Sequence, residues 1–254
     1  MPPLLKRTLL GLANLVSALW RLLPTKLRDT LIFGLLVLES RGDPAKGLRR
    51  LFAAQDRLNM AINERAMAYG AGVHPKHRLT RYHDFFVGRI PAGARVLDVG
   101  CGYGEVARSI AERVSGCTVL GVDLNAPRIA QAQARANPPN VSFMVADATA
   151  GLPAGKWDTV VLSNILEHLE KRVDFLRGVI QHAGAERILI RVPLFERDWT
   201  LPMRRELGVS YFTDAEHFIE HEIGEFATET AAAGLKIVEL RTVWGEIWAE
   251  CRVA

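Results

Sequence analysis

The chain has 254 residues, of which 49% are hydrophobic, 24% charged and 7% aromatic; this suits a large domain with its own core and excludes collagenous, low-complexity and disordered classes. Its three cysteines, Cys101, Cys117 and Cys251, form neither a disulfide framework nor a CxxC metal pair, which points to a reducing, cytoplasmic setting. Charge is uneven: residues 1–57 hold ten basic and four acidic side chains, net +6, against +4 for the whole chain, so the rest is net negative.

Residues 4–23 read as a helix. Lys6, Arg7, Asn14, Ser17 and Arg21 share a narrow polar arc, opposite Leu5, Leu9, Leu12, Val16, Leu19, Trp20 and Leu23. Pro24 stops it. The apolar run Leu31–Leu38 is too short to span a bilayer. A third helix is expected over Pro44–Tyr69, with Leu48, Leu51, Phe52, Leu58 and Ile62 on one face and Gly70-Ala71-Gly72 at its end. Three readings of residues 1–40 stand open: a helical lid, an interfacial helix on an anionic membrane surface, and a cleaved signal peptide. Residues 1–72 are taken as an N-terminal helical extension and 73–254 as the main domain.

From Arg95 the pattern changes. Strands are expected near 95–99, 118–122, 141–145, 158–162, 186–192, 235–242 and 246–253. Helices are expected near 104–114, 126–136, 170–182 and 225–233. Short β-branched runs alternating with helices mean an α/β fold, a doubly wound and mostly parallel sheet. The short Trp244-Gly245 link makes the last two strands an antiparallel hairpin.

The strongest signal is Val96-Leu-Asp-Val-Gly-Cys-Gly-Tyr-Gly-Glu-Val-Ala107. A buried strand runs into Gly100, Gly102 and Gly104, then into a helix. Glycine suits a tight turn where the backbone must approach a ligand. Asp123 ends the next strand, where a carboxylate can accept hydrogen bonds from both ribose hydroxyls of an adenosine. A dinucleotide site is the nearest rival, and an oxidoreductase the function it would bring. Here the glycine spacing is shorter than G-x-G-x-x-G, and Glu105 would repel a pyrophosphate at the helix N-terminus. With Asp98 also acidic, the site suits an adenosine joined to a cationic, amine-bearing group and lacking phosphate.

On these residues, roughly 75–254 resembles the class I S-adenosylmethionine-dependent methyltransferases. The Ala146-Asp147-Ala148 step and the segment Trp157–Leu169 extend the match. The resemblance implies a Rossmann-like sheet of seven strands and S-adenosylmethionine as cofactor. It places the methionine part on Asp98 and the loop Gly100-Cys101-Gly102 with Gly104. It places the ribose on Asp123 beside Leu124, the adenine on Asp147 beside Ala148, and Ser163 and Asn164 near the methyl. Cys101 reads as a packing residue and Asp158 as a cap. Glu167 and His168 fall on the ligand-binding rim.

Two segments outside the core are candidates for the acceptor. In the first, Tyr82 and His83 could close over the cofactor while Phe85 and Phe86 pack inward. The second is the insert Pro193–Gly224, with Arg197 and Arg204 to grip an anionic acceptor. His168, His217 and Asp198 are the candidate catalytic groups. His217-x-x-Glu220-His221 matches an inverted zinc-protease pattern, placing both histidines on one helical face. No third ligand can be named, solvated helix charges are preferred there, and no metal is expected.

The reading is a methyltransferase acting at oxygen on a small-molecule or lipid-linked polar acceptor, held peripherally at a membrane face by residues 1–40. It also resembles stand-alone enzymes that modify bacterial glycans or lipid precursors. Nucleic acid is disfavoured because residues 58–254 are net negative. The rival from another class is an inactive methyltransferase-like binding partner.

Overall fold

The computed structural model describes residues 3–254, with side chains from residue 11 onward. Leu5, Lys6, Arg7 and Leu9 of the expected amphipathic pattern lie outside the described side chains. The chain divides into two compact units, one up to Arg65 and one over Ala66–Ala254.

The first unit holds helices α1 (Pro3–Leu22), α2 (Thr25–Glu39) and most of α3 (Pro44–Tyr69). Asp43 accepts the Lys46 N–H at 2.7 Å, and Pro44 opens the first turn, so α3 is capped by sequence. Arg50 pairs with Glu39 at 2.9 Å. Helix α2 has no buried residue, and Leu31, Ile32, Phe33, Leu35, Val37 and Leu38 are all exposed. Six such residues within eight positions wrap right around the helix. No helix among the described residues is long and apolar enough to cross a membrane.

The second unit opens with short helices α4 (Lys76–Leu79) and α5 (Tyr82–Val87). Then come β1 (Arg95–Val99), α6 (Glu105–Arg113), β2 (Thr118–Asp123), α7 (Ala126–Ala134), β3 (Val141–Val145) and β4 (Thr159–Ser163). After these follow α8 (Arg172–Ala183), β5 (Arg187–Pro193), α9 (Thr200–Glu206), α10 (Ile223–Ala232), β6 (Leu235–Val243) and β7 (Glu246–Val253). The seven strands lie in the order β3-β2-β1-β4-β5-β7-β6. The first five are parallel, and β7 runs antiparallel to both β5 and β6. This is the doubly wound, mostly parallel architecture that the periodicity predicts. Trp244 (φ 56°) and Gly245 (φ 75°) form the hairpin link, the positive-φ pair a two-residue turn needs.

Central strands buried on both faces read as continuous apolar runs. Alternate side chains of β1 supply the two cores. Val96 joins Phe86, Ile110, Ile129 and Leu189 on one face. Leu97 joins Leu162, Leu176, Ile188 and Phe226 on the other. The C-terminal ends of β1 and β4 lie side by side between these cores, because the winding reverses there.

The structure departs from expectation in the insert. Residues 217–221 form no helix. Leu194 and His221 pair in a parallel bridge that closes the insert at its base. His221 is fully buried, with Nε2 3.4 Å from Glu229. The protease-like pattern therefore has no helical face to display.

Phe86 is wholly buried on the helix that carries Tyr82. Phe86→Ala is expected to cost about 3–5 kcal/mol, read by urea denaturation.

Candidate active site

The loop after β1 is held open by backbone geometry. Gly100 has φ 67°, and a Cβ there would sit 1.8 Å from Ile165 Cδ1. Gly102 has φ 55° with no atom within 4 Å of where its Cβ would be. One glycine is required by the packed side, the other by φ and by an unobstructed face. The Gly102 N–H donates to Asp123 Oδ2 at 2.8 Å, and Asn125 N–H donates to Oδ1 at 2.8 Å, tying the loop to the end of β2. Arg108 Nη2 donates to the Tyr103 carbonyl at 2.5 Å from α6.

Across the switch point, β4 ends at Ser163 and Asn164. Asn164 adopts φ 59°, a left-handed conformation that Asn tolerates better than most side chains. A cavity of about 390 Å³ lies between these two strand ends. Asp98, Gly100, Cys101, Gly102, Ser163 and Asn164 form its floor and one side. Tyr82 and His77 come from the helices before β1, Arg191 from β5, and His168, Thr213, Asp214 and His217 from the facing wall.

Asp98 is 1% exposed, and its Oδ2 has no hydrogen-bond partner. Burial pushes its pKa up to about 7, against a backbone hydrogen bond from Ala107 that acts the other way. Burial likewise drives the Cys101 thiol well above its ordinary range, so it is no nucleophile.

Arg191 is buried and forms a two-nitrogen ion pair with Glu246. It also donates to Ser163 Oγ at 3.3 Å, and its guanidinium lies 3.8 Å from the Tyr82 ring centre. Tyr82 Oη meets His77 Nδ1 at 2.7 Å. Burial, with Lys76 nearby, pulls the His77 pKa down to about 4. Sequence reasoning missed Arg191, Glu246 and His77. A charge inside the apolar run Ile188–Val192 was the available signal for Arg191.

On the facing wall the rings of His168 and His217 meet edge-on, 4.6 Å between centres. His217 Nδ1 lies 3.1 Å from Glu220 Oε1. Burial lowers the His217 pKa, but the Glu220 hydrogen bond and the charge on Glu167 outweigh it, so the net shift is upward. His168 is shifted down by burial and by His217. Glu167 is fully buried behind them, with neither carboxylate oxygen partnered, and burial pushes it up to about 7.

Several anticipated residues lie elsewhere. Asp123, Leu124, Asp147 and Ala148 are not among the residues lining this cavity but sit at the ends of β2 and β3, along the same rim. Asp147 is exposed and accepts from Thr149 N–H at 2.9 Å. Gly104 caps α6 with φ 77°. His83 lies behind the wall, 3.3 Å from His77. Arg197 is tied up by Glu220 and the Leu194 carbonyl. Buried Arg204 donates to the Ser210 carbonyl at 2.9 Å, and exposed Asp198 accepts the Thr200 N–H at 2.8 Å. Neither arginine, nor Asp198, is among the residues lining the cavity.

An adenosyl sulfonium with an α-ammonium fits this chemistry. The unpartnered Asp98 oxygen offers an anion, Gly102 offers an open backbone face, and the ends of β2 and β3 continue the rim.

Residues 96–183 match the model of a methyltransferase domain. A ribosomal protein L11 methyltransferase of Bordetella parapertussis is 31% identical over 145 residues, covering 57% of this chain and 45% of that protein. A ubiquinone biosynthesis O-methyltransferase of Albidiferax ferrireducens is 29% identical over 161 residues, covering 52% of this chain and 63% of that one. The chain thus spans about half the length of the curated relatives it matches. A solved TehB-like S-adenosylmethionine-dependent methyltransferase of Corynebacterium glutamicum shares the fold with a TM-score of 0.54 at 19% identity, covering 80% of this chain and 100% of that one.

Two outcomes are expected from calorimetry with S-adenosylmethionine. Gly102→Ala weakens binding at least tenfold, since its φ is strained for any Cβ. Because Asp98 titrates near pH 7 and must be ionised to face an ammonium, affinity falls as pH drops from 8 to 6. Asp98→Asn flattens that profile.

Proposed function

We propose that this chain, whose residues 96–183 match a methyltransferase domain, is an S-adenosylmethionine-dependent methyltransferase that transfers a methyl group to an oxygen of a small or lipid-linked polar acceptor. The observation that carries this is the pairing of two walls across one cavity. The glycine loop and Asp98 make a donor side suited to a cation without phosphate. His168 and His217, with Glu167 buried behind them, make a facing side rich in proton-accepting groups.

The donor supplies a methyl already activated by sulfonium. This chain's residues do the rest. Asp98 and the loop orient the methionine part, and Asp123 and Asp147 lie along the rim for ribose and adenine. Tyr82, fixed by Arg191 and His77, narrows the mouth and excludes water. The acceptor oxygen attacks the methyl carbon as the carbon–sulfur bond breaks and its electron pair stays on sulfur. Alignment supplies most of the acceleration. A hydroxyl must also lose its proton, which is why the chemistry of the facing wall favours oxygen over a more nucleophilic amine.

The lipid-linked class rests on the first unit. Six exposed apolar side chains circle α2, and a helix of that kind is at rest in an apolar medium. Arg21 and Lys26 flank Pro24 with no acidic partner among the described residues. We infer an anionic membrane surface as the partner, with α2 lying in the interface.

The donor reading is tested by calorimetry and by 13C-methyl transfer. Stoichiometric binding of S-adenosylmethionine, none of nicotinamide dinucleotides, and an ether methyl signal in the glycan or lipid fraction are expected. Donor binding with label in nucleic acid overturns the acceptor class, and no donor binding by folded protein favours a non-catalytic partner. In flotation, the full chain is expected to rise with phosphatidylglycerol vesicles and not with phosphatidylcholine. Arg21→Glu with Lys26→Glu is expected to weaken it by about 1 kcal/mol per charge removed, or more, and Phe33→Ser with Leu35→Ser to abolish it.

A further inference from the structure

Glu167, His168 and His217 each present a ligating atom, and these atoms lie within 4.8 Å of one another. Groups bound to a common ion at about 2.0–2.2 Å stand about 3–4 Å apart, so small side-chain rotations close the set. Glu167 is fully buried and neither carboxylate oxygen makes a well-formed hydrogen bond, only the Asn164 side chain and its own backbone N–H standing near, which leaves a place for a cation. The cluster lies at the cavity wall opposite the glycine loop, His168 and His217 lining the cavity itself. We propose that these three side chains form a binding site for a divalent transition-metal ion.

The surroundings have the form such a site needs. His217 Nδ1 is held by Glu220 Oε1 at 3.1 Å, which makes Nε2 the ligating nitrogen. A carboxylate behind a ligating imidazole is the usual outer-shell device. Glu220 is itself fixed by Thr213 N–H at 2.7 Å, by Thr213 Oγ1 at 2.9 Å and by Arg197. Arg197, expected from sequence to grip the acceptor, works two steps back as an anchor. Two imidazoles and one carboxylate select zinc, cobalt, manganese or iron over magnesium, which prefers oxygen ligands. Three protein ligands leave positions open for an acceptor.

The site rests on, and deepens, the methyl-transfer reading. An acceptor hydroxyl bound to the ion loses its proton to water at neutral pH. Its oxygen then forms the bond to the methyl carbon while the electron pair of the broken carbon–sulfur bond goes to sulfur. No oxidant or reductant is consumed. The acceptor class narrows to a hydroxyl with a neighbouring oxygen able to chelate.

The test is titration of the metal-stripped full chain with Co2+, followed by visible absorption, with S-adenosylmethionine binding measured in parallel without metal. One equivalent of Co2+ is expected to bind and to be displaced by Zn2+. His168→Ala and His217→Ala are each expected to weaken binding at least tenfold while donor affinity stays within the wild-type range; Glu220→Gln is expected to weaken it about tenfold or more and, by breaking its buried pair with Arg197, to lower the melting temperature as well. No Co2+ uptake by the wild-type chain overturns the site, as does uptake kept within twofold in both histidine variants. Donor binding without Co2+ uptake removes the ion alone. Co2+ uptake without donor binding keeps the ion and removes methyl transfer.

Discussion

The reversal of winding between β1 and β4 is the constraint on which the site depends. Helices on opposite faces carry the chain away from neighbouring strand ends, so no helix covers the gap they leave. Backbone groups at those ends need partners from elsewhere. The chain answers with left-handed conformations at Gly100, Gly102 and Asn164, and with Asp123 accepting the Gly102 N–H. The same conformations turn the loop backbone outward. A gap imposed by topology thus becomes a cradle for a nucleoside.

Buried charge gives the cradle its shape. Arg191 would be costly in a sheet interior if left alone. Glu246 on β7 neutralises it, and Ser163 and the Tyr82 ring take its remaining faces. The antiparallel β7 is thereby linked to the mouth of the cavity through one guanidinium. On the opposite wall, Glu220 plays a similar organising part for His217, backed by Arg197 and Thr213. Asp98 Oδ2 and the two Glu167 oxygens differ from both, because they are buried and accept no such hydrogen bond.

The sheet and its order were legible because strand and helix periods alternate cleanly from Arg95, and every expected strand lies within one residue of its observed ends. The donor side was legible because Gly100–Gly104 is local, set by φ values that only a few residue types accept. The acceptor side was less so. Its groups come from four separate segments, and the pairings of Arg191 with Glu246 or Arg197 with Glu220 span 55 and 23 positions of sequence. Reading His217-x-x-Glu220-His221 as helical failed for a physical reason. His221 is drawn into the bridge with Leu194, and the residues before it form turns and bends instead of a helix. Arginines that look free for a ligand in sequence turned out to be occupied by the protein's own acids and carbonyls.

The bridge between Leu194 and His221, with its hydrogen bonds Phe195 N–H to His221 O at 2.9 Å and His221 N–H to Pro193 O at 3.2 Å, brings the entry and exit of the insert to one point. A loop whose two ends already touch can lengthen, shorten or be exchanged without shifting the strands it leaves from. The stretch of wall that carries Thr213, Asp214 and His217 is therefore a detachable cassette, whereas the glycine-loop side is woven through successive strand ends. Variation in that stretch of wall can accumulate in one contiguous run of sequence, leaving the glycine loop as it was.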